Sequence, residues 1–328
     1  FDSVCMTKGK ASAPAKVILF GEHFVVYGNP AILASINRRI SVSASAIKEN
    51  KVVIRSDIGV AGEYGTSAFT IIQGGIEAKA TLDPLYSAIR QVLSARNKKT
   101  GIEIAITSGV PPGIGLGSSA AACVATVAAV NSLFQKKPSR QKICELAIES
   151  ERMIHKNSSG ADCYVSTFGG LIHYSKAKGF KEIRSRGPLA LVIASTGVRH
   201  STGDLVAGVK QFKDRNGPLF ESLAKQAADI CAQAQRAMTS GRRDRLGALM
   251  NENQAILRQI GVSHYKVDDL IDICGKAGAL GAKITGAGGG GAVIALAASK
   301  QDSRKIASRA KAAGYESFEV EIDRKGLI

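Results

Sequence analysis

Aromatic residues are scarce in this chain of 328 residues, 5% in all with no tryptophan. The basic stretches, Arg96 to Lys99, Lys136 to Lys142, Lys176 to Arg186, Lys210 to Arg215 and Arg242 to Arg245, hold only two aromatics between them, Phe180 and Phe212. A nucleic-acid-binding protein would also be basic, and the net charge of +17 keeps that reading open. The scatter of the charge argues against it: solvated surface charge accounts for most of these residues, and a positive field also steers small anions inward. Paired cysteines are missing too. Cys5, Cys123, Cys144, Cys163, Cys231 and Cys274 stand far apart, which excludes a zinc or redox-pair spacing and implies a reducing compartment. No apolar run is long enough for a membrane span, since the longest, 120–134, is interrupted by Asn131 and Ser132. No signal-peptide pattern is evident, and the ending Lys325-Gly326-Leu327-Ile328 is not a Ser-Lys-Leu signal. The expected location is the cytoplasm, with a peroxisome-like organelle as the alternative.

What the chain does have is glycine in three informative places. In the first, Pro111-Pro112-Gly113-Ile114-Gly115-Leu116-Gly117-Ser118-Ser119-Ala120 follows a segment in which Ile102, Ile104 and Ile106 alternate with Glu103, Ala105 and Thr107. The alternation predicts a half-buried strand, and the alanine run after Ser119 predicts a helix. A glycine turn between the two lets several N–H groups face one point where the helix also directs its partial positive charge, which suits a phosphate. Ser118 and Ser119 add hydroxyls that can cap the helix or ligate a nucleotide's Mg²⁺. The loop is neither a Walker A motif nor the dinucleotide fingerprint, and by itself a plain structural turn explains it as well.

The second place is Pro14-Ala15-Lys16-Val17-Ile18-Leu19-Phe20-Gly21-Glu22-His23, an apolar run that reads as a buried strand. Lys16 is expected at its edge, either as a solvated end or as a phosphate or hydroxyl partner. The third, Lys283-Ile284-Thr285-Gly286-Ala287-Gly288-Gly289-Gly290-Gly291-Ala292, lies between strand-like flanks. Those flanks favour a rigid loop approached closely by another backbone over a flexible linker. Between these segments, Ser139 is a suitable N-cap for a helix whose Ile143, Leu146, Ala147 and Ile154 share one side. Glu151 falls on the border of that apolar stripe, where a carboxylate needs a basic side chain or a metal ion. Asp162, after Asn157-Ser158-Ser159-Gly160, reads alone as a turn aspartate.

Taken together and in this order, the three glycine motifs resemble those of the superfamily of galactokinase, homoserine kinase, mevalonate kinase and phosphomevalonate kinase. Glu151-Arg152-Met153-Ile154-His155, Asn157, Ser159-Gly160, Asp162, Val165-Ser166-Thr167, Asn253-Gln254 and Gly261-Val262-Ser263-His264 resemble its mevalonate kinase branch most closely. The resemblance spans nearly the whole chain. It implies an α+β, two-domain small-molecule kinase fold with a ferredoxin-like C-terminal domain and an active site in the cleft between domains. It also implies ATP and Mg²⁺ as cofactors and mevalonate as acceptor, giving 5-phosphomevalonate for isoprenoid and sterol precursors. Asp162 corresponds to the base, and Lys16 to the lysine that contacts phosphate and stabilises the deprotonating oxygen. Ser119 and Glu151 correspond to Mg²⁺ ligands. Pro112, Gly113, Gly115, Leu116, Gly117 and Ser118 correspond to the loop around the nucleotide phosphates, and Gly286 to the motif that braces it. Glu22, His23, His200 and Thr202 correspond to the acceptor side, with Arg199 or His200 open as the carboxylate contact. The chain departs from the family at Ser158, where proline is common, and at His200, where animal members commonly have arginine.

The chain is longer than a usual single domain. A division into 1–186 and 187–328 is expected, because a fresh strand signal, Leu189 to Ala194, follows the basic stretch. Helices are predicted around 219–238, 246–260, 267–277 and 303–313, and a strand around 317–322. No internal repeat is visible, and 51–73 carries no clear signal. A monomer or homodimer without a nucleic-acid or membrane partner is expected. A ligand sensor on the same fold, or a kinase for another small alcohol, stays open as an alternative.

Overall fold

A computed structural model describes residues 8–134, 138–152, 159–198 and 201–328. The first half holds β1 (Lys8–Phe20), β2 (Ala31–Ile47), β3 (Val52–Ser56), β4 (Val60–Tyr64), β5 (Phe69–Gln73), α1 (Ala78–Ala95), β6 (Gly101–Ser108), α2 (Ser118–Ser132), α3 (Arg140–Arg152), α4 (Ala161–Phe168), β7 (Leu171–Ser175) and β8 (Gly179–Ile183). Its sheet runs β5-β4-β3-β6-β2-β7-β8, with β1 also on β2. All neighbours are antiparallel except β3 and β6. The alternating isoleucines of β6 are buried as their period predicts.

Helix α2 organises this half. It packs against β1, β2, α1, α3 and α4, so it is apolar nearly all round. Alanine makes such close packing feasible: Gly9 of β1 lies so near that a Cβ there would meet the Ala129 carbonyl at 2.0 Å. The apolar run 120–134 is thus a buried core helix, and no helix among the described residues is long and apolar enough to cross a membrane.

The second half holds β9 (Ala190–Ser195), α5 (Thr202–Arg215), α6 (Gly217–Ser240), α7 (Arg243–Gln259), α8 (Tyr265–Lys276), β10 (Gly281–Thr285), β11 (Ala292–Ala297), α9 (Lys300–Ala312) and β12 (Glu316–Val320). Its sheet order is β10-β11-β9-β12, antiparallel throughout. In chain order that is the ferredoxin-like arrangement, with helices inserted after β9 and between β11 and β12. Helix α7 lies against β10 at glycine-to-glycine range, since a Cβ on Gly281 would meet the Gly247 carbonyl at 2.0 Å. Both domains are therefore mixed α+β, each built on its own sheet.

Two expectations need correction. Lys16 is not at a strand edge: β1 starts at Lys8, paired with Ser45, because β2 is long enough to carry the ladder eight residues upstream of Lys16. Asp162 does not sit in a turn. It occupies the first turn of α4, which Gly160 opens in the left-handed conformation at φ 76°. Helices α1 and α5 were not anticipated, nor was the β3–β4–β5 meander in the stretch without a clear signal. Ser139 does cap α3, its Oγ accepting from the Lys142 N–H at 3.2 Å.

The halves are joined by side chains as well as by the connecting chain. Thr285 Oγ1 at the end of β10 accepts from the Ile18 N–H and donates to the Ile18 carbonyl of β1, both at 3.0 Å. The C-terminal tail returns to the first domain, where Ser12 and Ile328 exchange backbone hydrogen bonds and Arg39 pairs with Asp323. Thr285→Val keeps the shape but strands both Ile18 groups. It should destabilise the protein by about 1–3 kcal/mol in chemical denaturation.

Candidate active site

Lys16 and Gly117 define the centre. The Lys16 N–H donates to the Leu116 carbonyl at 2.9 Å, which ties the glycine loop to β1. Gly117 sits at the N-terminus of α2 with φ 67°, and a Cβ there would lie 2.6 Å from both Cγ and Cε of Lys16. Glycine is required because the lysine stem occupies that space and the backbone is left-handed. Gly113 and Gly115 also have positive φ, so the loop reverses repeatedly before the helix begins. No side chain caps α2 through Gly117, so Ser118 and Ser119 enter as its first two residues, with Ser119 exposed.

The Lys16 ammonium, nearly buried, lies 3.1 Å from a carboxylate oxygen of Asp162, whose side chain keeps about a third of its surface open to solvent. Helix α4 offers that carboxylate its positive end. The next residue, Cys163, places its thiol 3.5 Å from Oε2 of Glu151, a buried carboxylate near the end of α3. Burial first, and the Glu151 charge second, push the Cys123 and Cys163 thiols well up, so they stay protonated. Helices α2, α3 and α4, which carry Ser119, Glu151 and Asp162, pack on one another.

For a metal, the described residues contain no group of three or more His, Cys, Asp or Glu side chains able to hold one. Mg²⁺ asks for less, one or two protein oxygens besides phosphate and water. A serine hydroxyl at the head of α2 and one carboxylate fit that demand.

The third glycine motif covers the loop from the second domain. A Cβ on Gly286 would approach the Gly115 carbonyl at 3.4 Å, so the two glycine loops meet back to back. Gly288 lies against the Val262 carbonyl, Gly289 against Leu205 and Gly290 against Val198, and the Thr196 N–H and hydroxyl both bond the Gly291 carbonyl. Thr202, exposed at the start of α5, belongs to the segment docked on this loop. His200 and Arg199 lie outside the described residues, as do Met153 to Ser158.

Glu22, expected on the acceptor side, has a fully buried side chain, held by Lys283 of β10 and by Asn253 Nδ2 of α7 at 3.4 Å. Its neighbour His23 does remain at the seam, with Nε2 donating to the Ala287 carbonyl at 2.8 Å. His23 adopts φ 60°, one of only two positive values among the described residues other than glycine. A residue held there marks local strain, which surrounding structure must hold in place. Lys283 and Asn253 were not singled out as site residues, although both stand in segments that carry the resemblance. A lysine inside an otherwise apolar strand was the one available signal. A cavity of about 930 Å³ between β7, β8 and the C-terminal tail includes none of these residues.

A strand lysine paired with a helix-start aspartate, a glycine loop at the open N-terminus of a buried helix and a second glycine loop closing from a ferredoxin-like domain define a two-domain small-molecule phosphotransferase. Residues 83–170 match the GHMP kinases N terminal domain, and 234–316 match GHMP kinases C terminal. Mevalonate kinase of Pyrococcus furiosus is 40% identical over 327 residues, 97% of either chain, and that of Thermococcus gammatolerans is 39% identical with the same coverage. The crystal structure of L. major mevalonate kinase in complex with R-mevalonate superposes with a TM-score of 0.83 at 31% identity, covering 97% of each chain. The chain belongs to the GHMP kinases, which are ATP-dependent, and within them to the mevalonate kinase family.

Two outcomes test this geometry. Gly117→Ala should push the Lys16 ammonium off Asp162 and lower kcat on the order of 10²-fold, at a stability cost of about 1–2 kcal/mol. Burial lowers the His23 pKa below 6.5, with the charge of Lys283 adding in the same direction and the bond to Ala287 opposing. Below pH 6.5 the unfolded chain takes up the proton more readily than the folded one, so stability falls with pH. Thermal melts of wild type against His23→Gln should therefore diverge as pH drops below 6.5, by at most about 1.4 kcal/mol per pH unit.

Proposed function

We propose that this kinase transfers the terminal phosphate of ATP to the primary hydroxyl of mevalonate, giving 5-phosphomevalonate and ADP for isoprenoid and sterol precursors. The observation that carries the reading is the Lys16–Asp162 pair, set on Gly117 where α2 begins. Asp162 accepts the hydroxyl proton as the substrate oxygen forms its bond to the terminal phosphorus, and the bond from that phosphorus to the bridging oxygen of ADP breaks. Lys16, 3.1 Å from the base, offsets the negative charge that grows on the attacking oxygen and the transferred group. N–H groups of the 113–119 loop and the head of α2 hold the nucleotide phosphates. Ser119 and Glu151 would hold Mg²⁺, which would supply charge neutralisation for the phosphate oxygens. The acceptor lies between His23 and the start of α5 at Thr202. We place the boundary between the domains at residues 186 and 187. Mevalonate as acceptor rests on the mevalonate kinase relatives and on the likeness to the L. major enzyme, which was crystallised with R-mevalonate.

The test is Mg²⁺-supported ADP formation from ATP with mevalonate, phosphomevalonate, homoserine or galactose, run for wild type and Asp162→Asn side by side. Turnover is expected with mevalonate alone. The substitution should lower kcat on the order of 10²–10⁴-fold while nucleotide affinity is retained. Turnover of another alcohol would overturn the acceptor assignment, and loss of nucleotide binding in Asp162→Asn would overturn the role of the base.

A further inference from the structure

The Glu22–Lys283 pair is the one ion pair among the described residues with both side chains fully buried. It crosses between domains, from the turn after β1 to the middle of β10. A buried charge pair is a poor way to gain stability, because desolvation offsets most of the attraction. Its value lies in geometry: each charge tolerates only the position that meets the other.

The surroundings say what is being positioned. Gly21 is wedged against the Pro30 carbonyl and Ala31, at φ 92°, where a Cβ would come within 2.4 Å of that oxygen. Glu22 is gripped from the other domain by Lys283 and Asn253. His23 is thereby placed at φ 60° with Nε2 on the Ala287 carbonyl, inside the third glycine motif. On the Lys283 side, the ammonium also donates to the Ile284 carbonyl, and the Ile284 N–H is held by Gln254 Oε1 at 3.0 Å. Gln254 is next to Asn253 on α7 and also bonds Ser263, close to the Val262 carbonyl on which Gly289 rests. Three residues after Lys283, Gly286 meets the phosphate loop at Gly115. One buried pair thus sits beneath both the acceptor-side turn, 21–24, and the loop that closes on the nucleotide, 286–291.

We propose that Lys283 is a positioning residue for the phosphoryl transfer: through Glu22 it couples the His23 turn to the third glycine motif, so that the acceptor and phosphate halves of the site are registered together. Neither side chain touches the reacting groups. The kinetic part of this statement rests on the proposed mevalonate reaction; the coupling itself does not.

The test compares wild type with Lys283→Met, Glu22→Gln and the double variant. Each single change leaves one charge buried without its partner, and loss of folding there is expected. The double variant removes both charges at similar volume and should melt close to wild type. Hydrogen–deuterium exchange should then show 21–24 and 286–291 losing protection together, by about tenfold. With mevalonate and ATP, kcat should fall on the order of 100-fold while the affinity for ADP, measured by titration, stays within about twofold. A folded double variant with both segments as protected as in wild type, and kcat unchanged, would overturn the proposal and leave the pair a structural filler. If wild type does not turn over mevalonate, the substrate reading fails, but the exchange result still decides the coupling. If the double variant does not fold, Asn253→Ser, which removes only the neutral donor to Glu22, should loosen the same two segments; unchanged exchange there would overturn the proposal.

Discussion

The site depends on a close approach between a lysine side chain and a glycine that has no side chain to oppose it. Lys16 lies along the space where Gly117 would carry a Cβ, and that contact sets three things. It fixes the turn from loop to helix, because only a left-handed glycine fits there. It desolvates the ammonium, so that its charge is directed to Asp162 at 3.1 Å instead of being dispersed in water. It also ties the 113–117 glycine loop to β1, whose ladder with β2 is among the longest in the molecule. Rigidity in this kind of chemistry is a source of rate, since phosphoryl transfer leaves the protein mainly positioning and charge neutralisation to supply.

Around that centre the two domains contribute different kinds of parts. The first brings the charged groups: Lys16 from within β1, Glu151 near the end of α3 and Asp162 at the start of α4. The second brings backbone. Its glycine loop has no charged side chain, and its residues press against Gly115, Val198, Leu205 and Val262 at distances that a Cβ would violate or crowd. Hydrogen bonds from Thr285 to Ile18 and from His23 to Ala287 flank the seam, and the Glu22–Lys283 pair lies beneath it. Burial raises the Glu22 carboxyl pKa and lowers that of the Lys283 ammonium, and each charge opposes the other's shift. Those opposed directions are the electrostatic cost of keeping a polar register inside an apolar core.

Patterns with a short period were legible in the sequence. The isoleucine alternation of β6, the capped start of α3, the helices from α6 to α9 and the hairpin of β10 and β11 all follow from local spacing. Order among motifs was legible too, and the resemblance they form is what connected Lys16, Ser119, Glu151 and Asp162 to one reaction. The misses share a cause. Lys16 seemed to be at a strand edge because the upstream residues 8–13 mix lysine, glycine and serine, and only pairing with β2 makes them strand. Asp162 seemed to be a turn residue because α4 is eight residues long and opens with a left-handed glycine, so the local pattern is too short to reveal a helix.

What the sequence determined by itself was local and chemical. It supplied glycines where the backbone must turn left-handed, an alanine-rich stretch able to be buried on every side, and a set of charges in an order that belongs to a small-molecule kinase. What only the tertiary structure decided was which charges face the site. Glu22 and Lys16 look equivalent in one dimension, two charged residues in one glycine-containing motif. In the fold, Lys16 is directed toward Asp162 beside the 113–117 glycine loop, while Glu22 is drawn inward to Lys283, 261 residues away. Burial is a property of what packs around a residue, so a carboxylate's partner at that separation cannot be read from its neighbours in the chain.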